Sequence, residues 1–235
     1  MCMNTNYEFH LMQLADSFFP SGMFGMSSGL ESFVKYGKII TSNDVLKFIK
    51  QQIKFQLVPC DCVILILAIY AAQSNDIPKI VDIDNRFNSM RLVREVRNAS
   101  VRSGPQMLNC VMHMTDHNKK NKFAHKFMSK IESKETAGTY PVCLGIAANC
   151  LGIPKKSAIK MMLYSYSISI IGAAIRLGVI QHLNGQRILT QLSDDINTLS
   201  KSIKKKSINN IWQLTPLTDI LQMNHEHDDY RMFIT

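Results

Sequence analysis

The chain has 235 residues, of which 46% are hydrophobic and only 19% are charged, with a formal net charge of +9. That length buries a sizeable core, and so apolar a composition excludes a disordered basic tail. The charged fraction lies below the roughly 25% of an average soluble chain, and 14 Met against one Trp point to an adaptable core or contact surface.

Residues 1–35, rich in glycine and aromatics, read as the least regular part. Thr41-Ser42-Asn43-Asp44 has the form of a helix start, a hydroxyl cap with an acid three residues on, and Val45, Phe48, Ile49, Ile53 and Leu57 follow at helical spacing. Pro59 is expected to end that helix and Asp61 to cap the next, which is apolar on all sides from Val63 to Ala72 and therefore central. Ser74-Asn75-Asp76 breaks the pattern. An arginine-bearing helical region from Ile83 to Ser100 is then expected to stop before Gly104-Pro105, with a short helix through Met107, Leu108 and Val111 beyond. Lys119 to Asn121 reads as a polar loop, and Phe123, Phe127 and Ile131 mark an amphipathic helix. Pro141 opens and Gly152 closes another, and Pro154 opens a long one to about Leu177. Asn184-Gly185 is a turn signal, with Gly185 alternatively inside the start of the helix that runs through Ile188, Leu192, Ile196 and Leu199. Lys201 to Lys206 reads as a basic loop. A last short helix carries Leu217, Ile220, Leu221 and Met223, and residues 224–235 form a polar tail, expected to be mobile. No segment alternates convincingly at strand period. The expectation is a single all-α domain over 1–235, a bundle of roughly eight to ten helices.

The longest clean apolar run, Val63 to Ala72, falls short of the roughly 20 residues a spanning helix needs, and Met161 to Ile175 is interrupted by serines and reads as a buried helix. No secretory signal opens the chain, so a cytoplasmic protein is expected. The cysteines at 2, 60, 62, 110, 143 and 150 form no C-x-x-C pair and read as free thiols.

The sequence holds no phosphate-binding loop, dinucleotide fingerprint, H-E-x-x-H or G-x-S-x-G, and so no enzyme signature. Cys60 and Cys62 diverge if they sit on a helix. His225-Glu226-His227-Asp228-Asp229 is the densest run of ligand types. His225 and His227 face the same way only if the run is extended, so a direct metal site there is the weaker alternative to a polar helix end. Arg86, Arg91, Arg94, Arg97 and Arg102 have one acid among them, Glu95. Arg91, Arg94 and Arg97, three apart, would share a helical face, either for an acidic partner or paired with Asp82, Asp84 and Glu95. The positive charge is spread over several loops without a reading motif, so a basic nucleic-acid-binding helical module is only a runner-up.

Five blocks in order carry a resemblance. Leu11-Met12-Gln13-Leu14 leads into Pro20-Ser21-Gly22-Met23-Phe24-Gly25-Met26-Ser27-Ser28-Gly29-Leu30-Glu31. Arg94-Glu95-Val96-Arg97-Asn98-Ala99-Ser100 follows, with Gly104 and Leu108. Next come Tyr140-Pro141-Val142 with Gly145 and Leu151-Gly152-Ile153-Pro154, then Ala174-Ile175-Arg176-Leu177 with Gly185-Gln186. The last holds Pro216, Asp219, Met223, His225-Glu226 and Arg231. Together they resemble the urease accessory protein UreF family over nearly the whole chain. Met23, Thr139, Val179 and Gln181-His182 depart from the family's pattern. The resemblance implies an all-α, usually dimeric accessory protein with no catalysis and no stably bound cofactor. It implies two partners, the scaffold UreD or UreH and the GTPase UreG, in a complex that delivers nickel to apo-urease. The candidate contact residues are then Gly22, Phe24, Glu31, Arg94, Arg97, His225, Glu226 and Arg231. Arg97, Arg176 and Arg231 are the arginines that a GTPase activator would draw on. His225 and His227 are the weak metal candidates.

Overall fold

Thr41 opens a helix as the spacing predicts: its hydroxyl accepts the Asp44 N–H while the Asp44 carboxylate accepts the Thr41 N–H, a reciprocal capping box. The computed structural model describes residues 7–20, 25–115, 121–203, 207–228 and 231–234. Cys2, Gly22, Met23, Phe24, Lys119, Lys120, Lys204, Lys205, Lys206 and Asp229 lie outside the described residues. The helices are α1 (Tyr7–Ala15), α2 (Leu30–Lys35), α3 (Ser42–Gln52), α4 (Cys62–Gln73), α5 (Ile77–Met90) and α6 (Arg94–Met114). They continue with α7 (Asn121–Glu132), α8 (Tyr140–Cys150), α9 (Lys155–Arg176), α10 (His182–Ser202) and α11 (Pro216–His225). There is no strand among the described residues, and the fold is a single all-α domain as expected.

Helices α4 and α8 are the centre. Ile64, Leu65 and Ile69 of α4 and Val142, Leu144 and Ile146 of α8 are fully or almost fully buried, and burial of such a side chain contributes roughly 1.5–3 kcal/mol. α8 packs between α4 and α6, and α9 and α10 form the neighbouring layer. One continuous apolar cluster joins them.

Several boundaries differ from the sequence expectation. Pro59 does not end a helix. The stretch Ile53–Asp61 widens to i→i+5 hydrogen bonding and carries the chain from α3 into α4; the wider turn accommodates a residue with no N–H and a ring that crowds the preceding turn. Asp61 therefore caps nothing; it is helical and buried. The run Ser42–Gln73 becomes a 32-residue helix, and with Lys155–Arg176 it is long and apolar enough to cross a membrane by length and composition. The apolar windows of the two are 72% and 61% buried inside the protein, as core helices are. Gly104-Pro105 does not break α6; at Gly104 the missing Cβ lets the helix pass against the Gly138 carbonyl, with which a side chain would collide. The break falls earlier, at Arg91–Val93, so Arg91 does not share a helical face with Arg94 and Arg97. Of the two readings of Asn184-Gly185 the helical one holds: both lie inside α10, whose start is capped by the Gln181 and Asn184 side chains. Within residues 1–35, Tyr7–Ala15 is helical and packs on α9. Asn121, expected in a loop, begins α7 and is buried, its amide donating to the Thr115 carbonyl at 2.7 Å.

Thr139 has a structural role. Asp84, fully buried, accepts hydrogen bonds from the Thr136 hydroxyl, the Gly138 N–H and both the N–H and the hydroxyl of Thr139. That carboxylate ties α5 to the start of α8.

Candidate functional site

The described residues of the C-terminal arm, 211–228 and 231–234, pack against the body in an unusual way. α11 starts with Pro216 in its first turn, where the missing N–H costs nothing. It buries Thr218, Leu221, Gln222 and His225. Its outer face holds Leu217, Ile220 and Met223, 47%, 55% and 40% exposed, flanked by exposed Trp212 and Leu214. A helix docked on a core by polar side chains with its apolar side outward reverses the ordinary amphipathic pattern.

His225 is the hub. Its ring is 2% exposed, with Nδ1 at 2.9 Å from Glu95 Oε2 and Nε2 at 3.1 Å from Glu31 Oε2. Each ring nitrogen thus faces a carboxylate oxygen at hydrogen-bond distance, one on each edge of the ring. Glu31 also accepts the backbone N–H groups of Met232 at 2.8 Å and Phe233 at 3.2 Å. Glu95 accepts from Arg231 at 2.6 Å. Glu226 pairs with Arg94 at 2.9 Å and accepts the Glu95 N–H at 3.2 Å. It thus supplies the anionic cap that Val93, at the N-terminus of α6, does not provide.

Local sequence places these groups. Gly29 takes φ +88° immediately before α2 and faces α11 closely; a Cβ there would stand 2.9 Å from Gln222 Cγ. The turn aims Glu31 at His225, and Ser32 donates to the Leu221 carbonyl at 3.2 Å. The arm's end returns to the N-terminal segment through Ile234 N–H to the Gly25 carbonyl, 3.1 Å. The Phe233 ring sits under the Arg176 guanidinium, 4.4 Å from its centroid.

The structure thus brings together Glu31, Arg94, His225, Glu226 and Arg231, and leaves Arg97 aside. Arg97 donates to the Arg91 carbonyl at 3.1 Å and closes the α5–α6 junction. Gly22 and Phe24 lie outside the described residues. The arm expected to be mobile is seated by its described residues 231–234. His225 and His227 are not brought to one site: His227 is exposed, and both nitrogens of His225 face carboxylates on opposite ring edges. No group of three or more His, Cys, Asp or Glu suited to hold a metal occurs among the described residues. The arginine set is dispersed: Arg86 pairs with Asp82 at 2.8 Å, and Arg91 is buried against Asp61.

That buried pair and Glu95 are what sequence reasoning missed. Arg91 lies over the Phe87 ring, bonds Asp61, and donates to Gln213 of the arm at 3.0 Å. Asp61 Oδ2 is buried without a partner among the described residues. Burial pushes the Asp61 carboxyl above its ordinary range, and Arg91 opposes that. The pair borders a cavity of about 130 Å³ lined also by Tyr140, Tyr166 and Ser28. Its chemistry, like that of the His225 cluster, is that of a latch: charges held against each other across helices distant in sequence.

The UreF family model matches residues 39–193. The chain belongs to the UreF family. A protein of Trichodesmium erythraeum (strain IMS101) named urease accessory protein UreF is 30% identical over 227 residues, covering 95% of this chain and 94% of that one. Proteins of the same name from Yersinia pestis (strain Pestoides F) and Yersinia pseudotuberculosis serotype I (strain IP32953) are 28% identical over 231 residues, 98% of this chain and 99% of each. Four of the five blocks that carried the resemblance meet at the arm of this UreF-family chain: Gly25 to Glu31, Arg94-Glu95, Arg176, and His225-Glu226 with Arg231.

Proposed function

We propose that this chain is an adaptor in urease maturation. It bridges the scaffold UreD/UreH and the GTPase UreG and regulates GTP-dependent nickel insertion into apo-urease. It acts as a cytoplasmic homodimer, binds neither nucleic acid nor membrane, catalyses no reaction itself, and handles nickel only within the complex.

The observation that carries the reading is the inverted arm. An exposed apolar ridge of Trp212, Leu214, Leu217, Ile220 and Met223, held rigid from behind by an ion-pair latch, is a surface suited to a protein partner. Membership of a urease accessory family supports a role in a urease accessory complex and so favours partners of that complex. Regulation of a GTPase requires that the adaptor bind one nucleotide state better than another, since equal affinity shifts nothing. Arg97, Arg176 and Arg231 are each engaged within the chain, so the reading favours bias through binding over donation of a catalytic arginine.

The test is co-purification of the full chain with UreD/UreH and UreG, comparing wild type with Leu217→Asp/Ile220→Asp. The double variant is expected to fold, by helical circular dichroism, and to lose the scaffold or the GTPase. Full retention of both by the folded variant would reject the ridge as the contact. GTP turnover by UreG with and without the chain reads the regulatory half.

A further inference from the structure

The cavity beside the Asp61–Arg91 pair has a volume of about 130 Å³. One water needs roughly 10–15 Å³, and a cavity of roughly 150 Å³ holds a benzene ring. Leu14, Phe19, Met26, Leu57 and Met162 give it apolar walls. Several of its polar groups serve protein partners. Ser28 and Tyr166 are hydrogen-bonded together, Ser100 Oγ accepts the Tyr140 N–H at 3.0 Å, and Ser169 donates to the Met26 carbonyl at 3.0 Å. Asp61 differs. The residue is 8% exposed, and its Oδ2 is the one buried side-chain oxygen on this wall with no partner among the described residues. An acceptor buried in that way carries its full desolvation cost until a donor reaches it.

We infer that this cavity is a binding site for a small neutral molecule with one flat ring and an O–H or N–H donor, a phenol being the simplest. The ring takes the apolar walls, and the donor meets the Asp61 carboxylate. Charge decides against an ion. Asp61 and Arg91 offset each other within the wall, and a buried ion without a counter-charge is costly. No group of three His, Cys, Asp or Glu offers a metal site among the described residues. The exposed Asp16 and Ser17 also line the space, which joins it to solvent, and the Asp16 carboxylate there disfavours an anion. Arg91 donates to Gln213 of the arm at 3.0 Å as well, so the guest sits one side chain away from the arm. The site does not depend on the proposed function.

The test is a titration of the full chain with phenol, toluene, benzoate and benzylammonium, followed by residue-resolved amide chemical shifts. Phenol is expected to move the amides of Ser28, Asp61 and Tyr166 at millimolar concentration. Toluene, with a methyl in place of the hydroxyl, is expected to bind roughly 10-fold more weakly, and the two ions to leave these amides unmoved. Val96→Phe and Met162→Phe each put a ring into the space and keep the ion pair. Each folded variant is expected to lose phenol binding. No movement with phenol would mean a cavity that holds water only and would overturn the inference. So would toluene or either ion binding as tightly as phenol, which would show that Asp61 selects no neutral donor. Undiminished phenol binding by both filled variants would place it elsewhere and overturn the inference too. Because the titration uses the chain alone, its failure and a failed co-purification report separate things.

Discussion

Replacing His225 with alanine tests the latch most sharply. The ring is 2% exposed and makes two contacts, each to a carboxylate, at 2.9 and 3.1 Å. Hydrogen bonds to charged groups are worth about 1.5–3 kcal/mol each. Both carboxylates keep other donors, Arg231 on Glu95 and the Met232 and Phe233 N–H groups on Glu31, so neither is stranded entirely. The expected loss is therefore near the lower bound for two bonds, about 3 kcal/mol. It falls on the arm's local opening equilibrium and raises the open population roughly 100-fold. Native-state amide exchange at Met232 and Phe233 measures it directly, with Met223→Ala on the exposed face as a control expected to change little. Unchanged protection at Met232 and Phe233 in His225→Ala would refute the latch, as would a uniform loss throughout α4 and α8.

Gly29→Ala places a side chain at φ +88° and 2.9 Å from Gln222 Cγ. Left-handed backbone alone costs roughly 1–2 kcal/mol, so a urea-melt loss of at least that size is expected, and a loss under about 0.5 kcal/mol would show that the turn tolerates Cβ. Asp84→Ala removes the acceptor of four buried donors; at about 1–3 kcal/mol for each group left unsatisfied, the variant is expected to fall out of the soluble fraction or melt far earlier, and a near-wild-type melt would contradict the bonding described. The Cys60 thiol is pushed up to about 12 by burial, with Asp61 adding, and burial raises the Cys62 and Cys143 thiols well above their ordinary range. A raised thiol pKa favours the neutral form in the fold: the stabilising difference is complete below the ordinary thiol value and is lost as pH rises through the folded one. At pH 8 these thiols are therefore unionised, and iodoacetamide should leave Cys60, Cys62 and Cys143 unlabelled until the protein is denatured. Labelling of any of them at the rate of a free thiol would contradict their burial.

Much of the fold was legible because periodicity and caps are local signals. Thr41 with Asp44, the apolar run of α4, Pro141 and Pro154 each state a boundary in neighbouring residues. The errors came where tertiary packing outweighed punctuation. Pro59 and Gly104-Pro105 looked like breaks, yet the chain stays helical through both, by a widened turn at the first and with a close passage of Gly104 against the Gly138 carbonyl at the second. At the site, the family-like blocks named Glu31, Arg94, His225, Glu226 and Arg231, but not their arrangement, because the partners of His225 lie 130 and 194 residues away. Glu95, seen only as a lone acid among arginines, is the residue that joins the second block to the fifth. Asp61 read as a helix cap and Arg91 as one of an arginine face, and no local signal paired them; the two are buried against each other. Nor does a sequence pattern distinguish α11, whose Leu217, Ile220 and Met223 point outward while Leu221 is buried, from a helix that buries all four.

The adaptor role is tested most directly by apo-urease activation in vitro with nickel, GTP, UreD/UreH and UreG, with and without this chain. The account predicts that urease activity develops when the chain is present and falls to the background of spontaneous nickel uptake when it is left out or replaced by the Leu217→Asp/Ile220→Asp variant. Equal activation in its absence would contradict it.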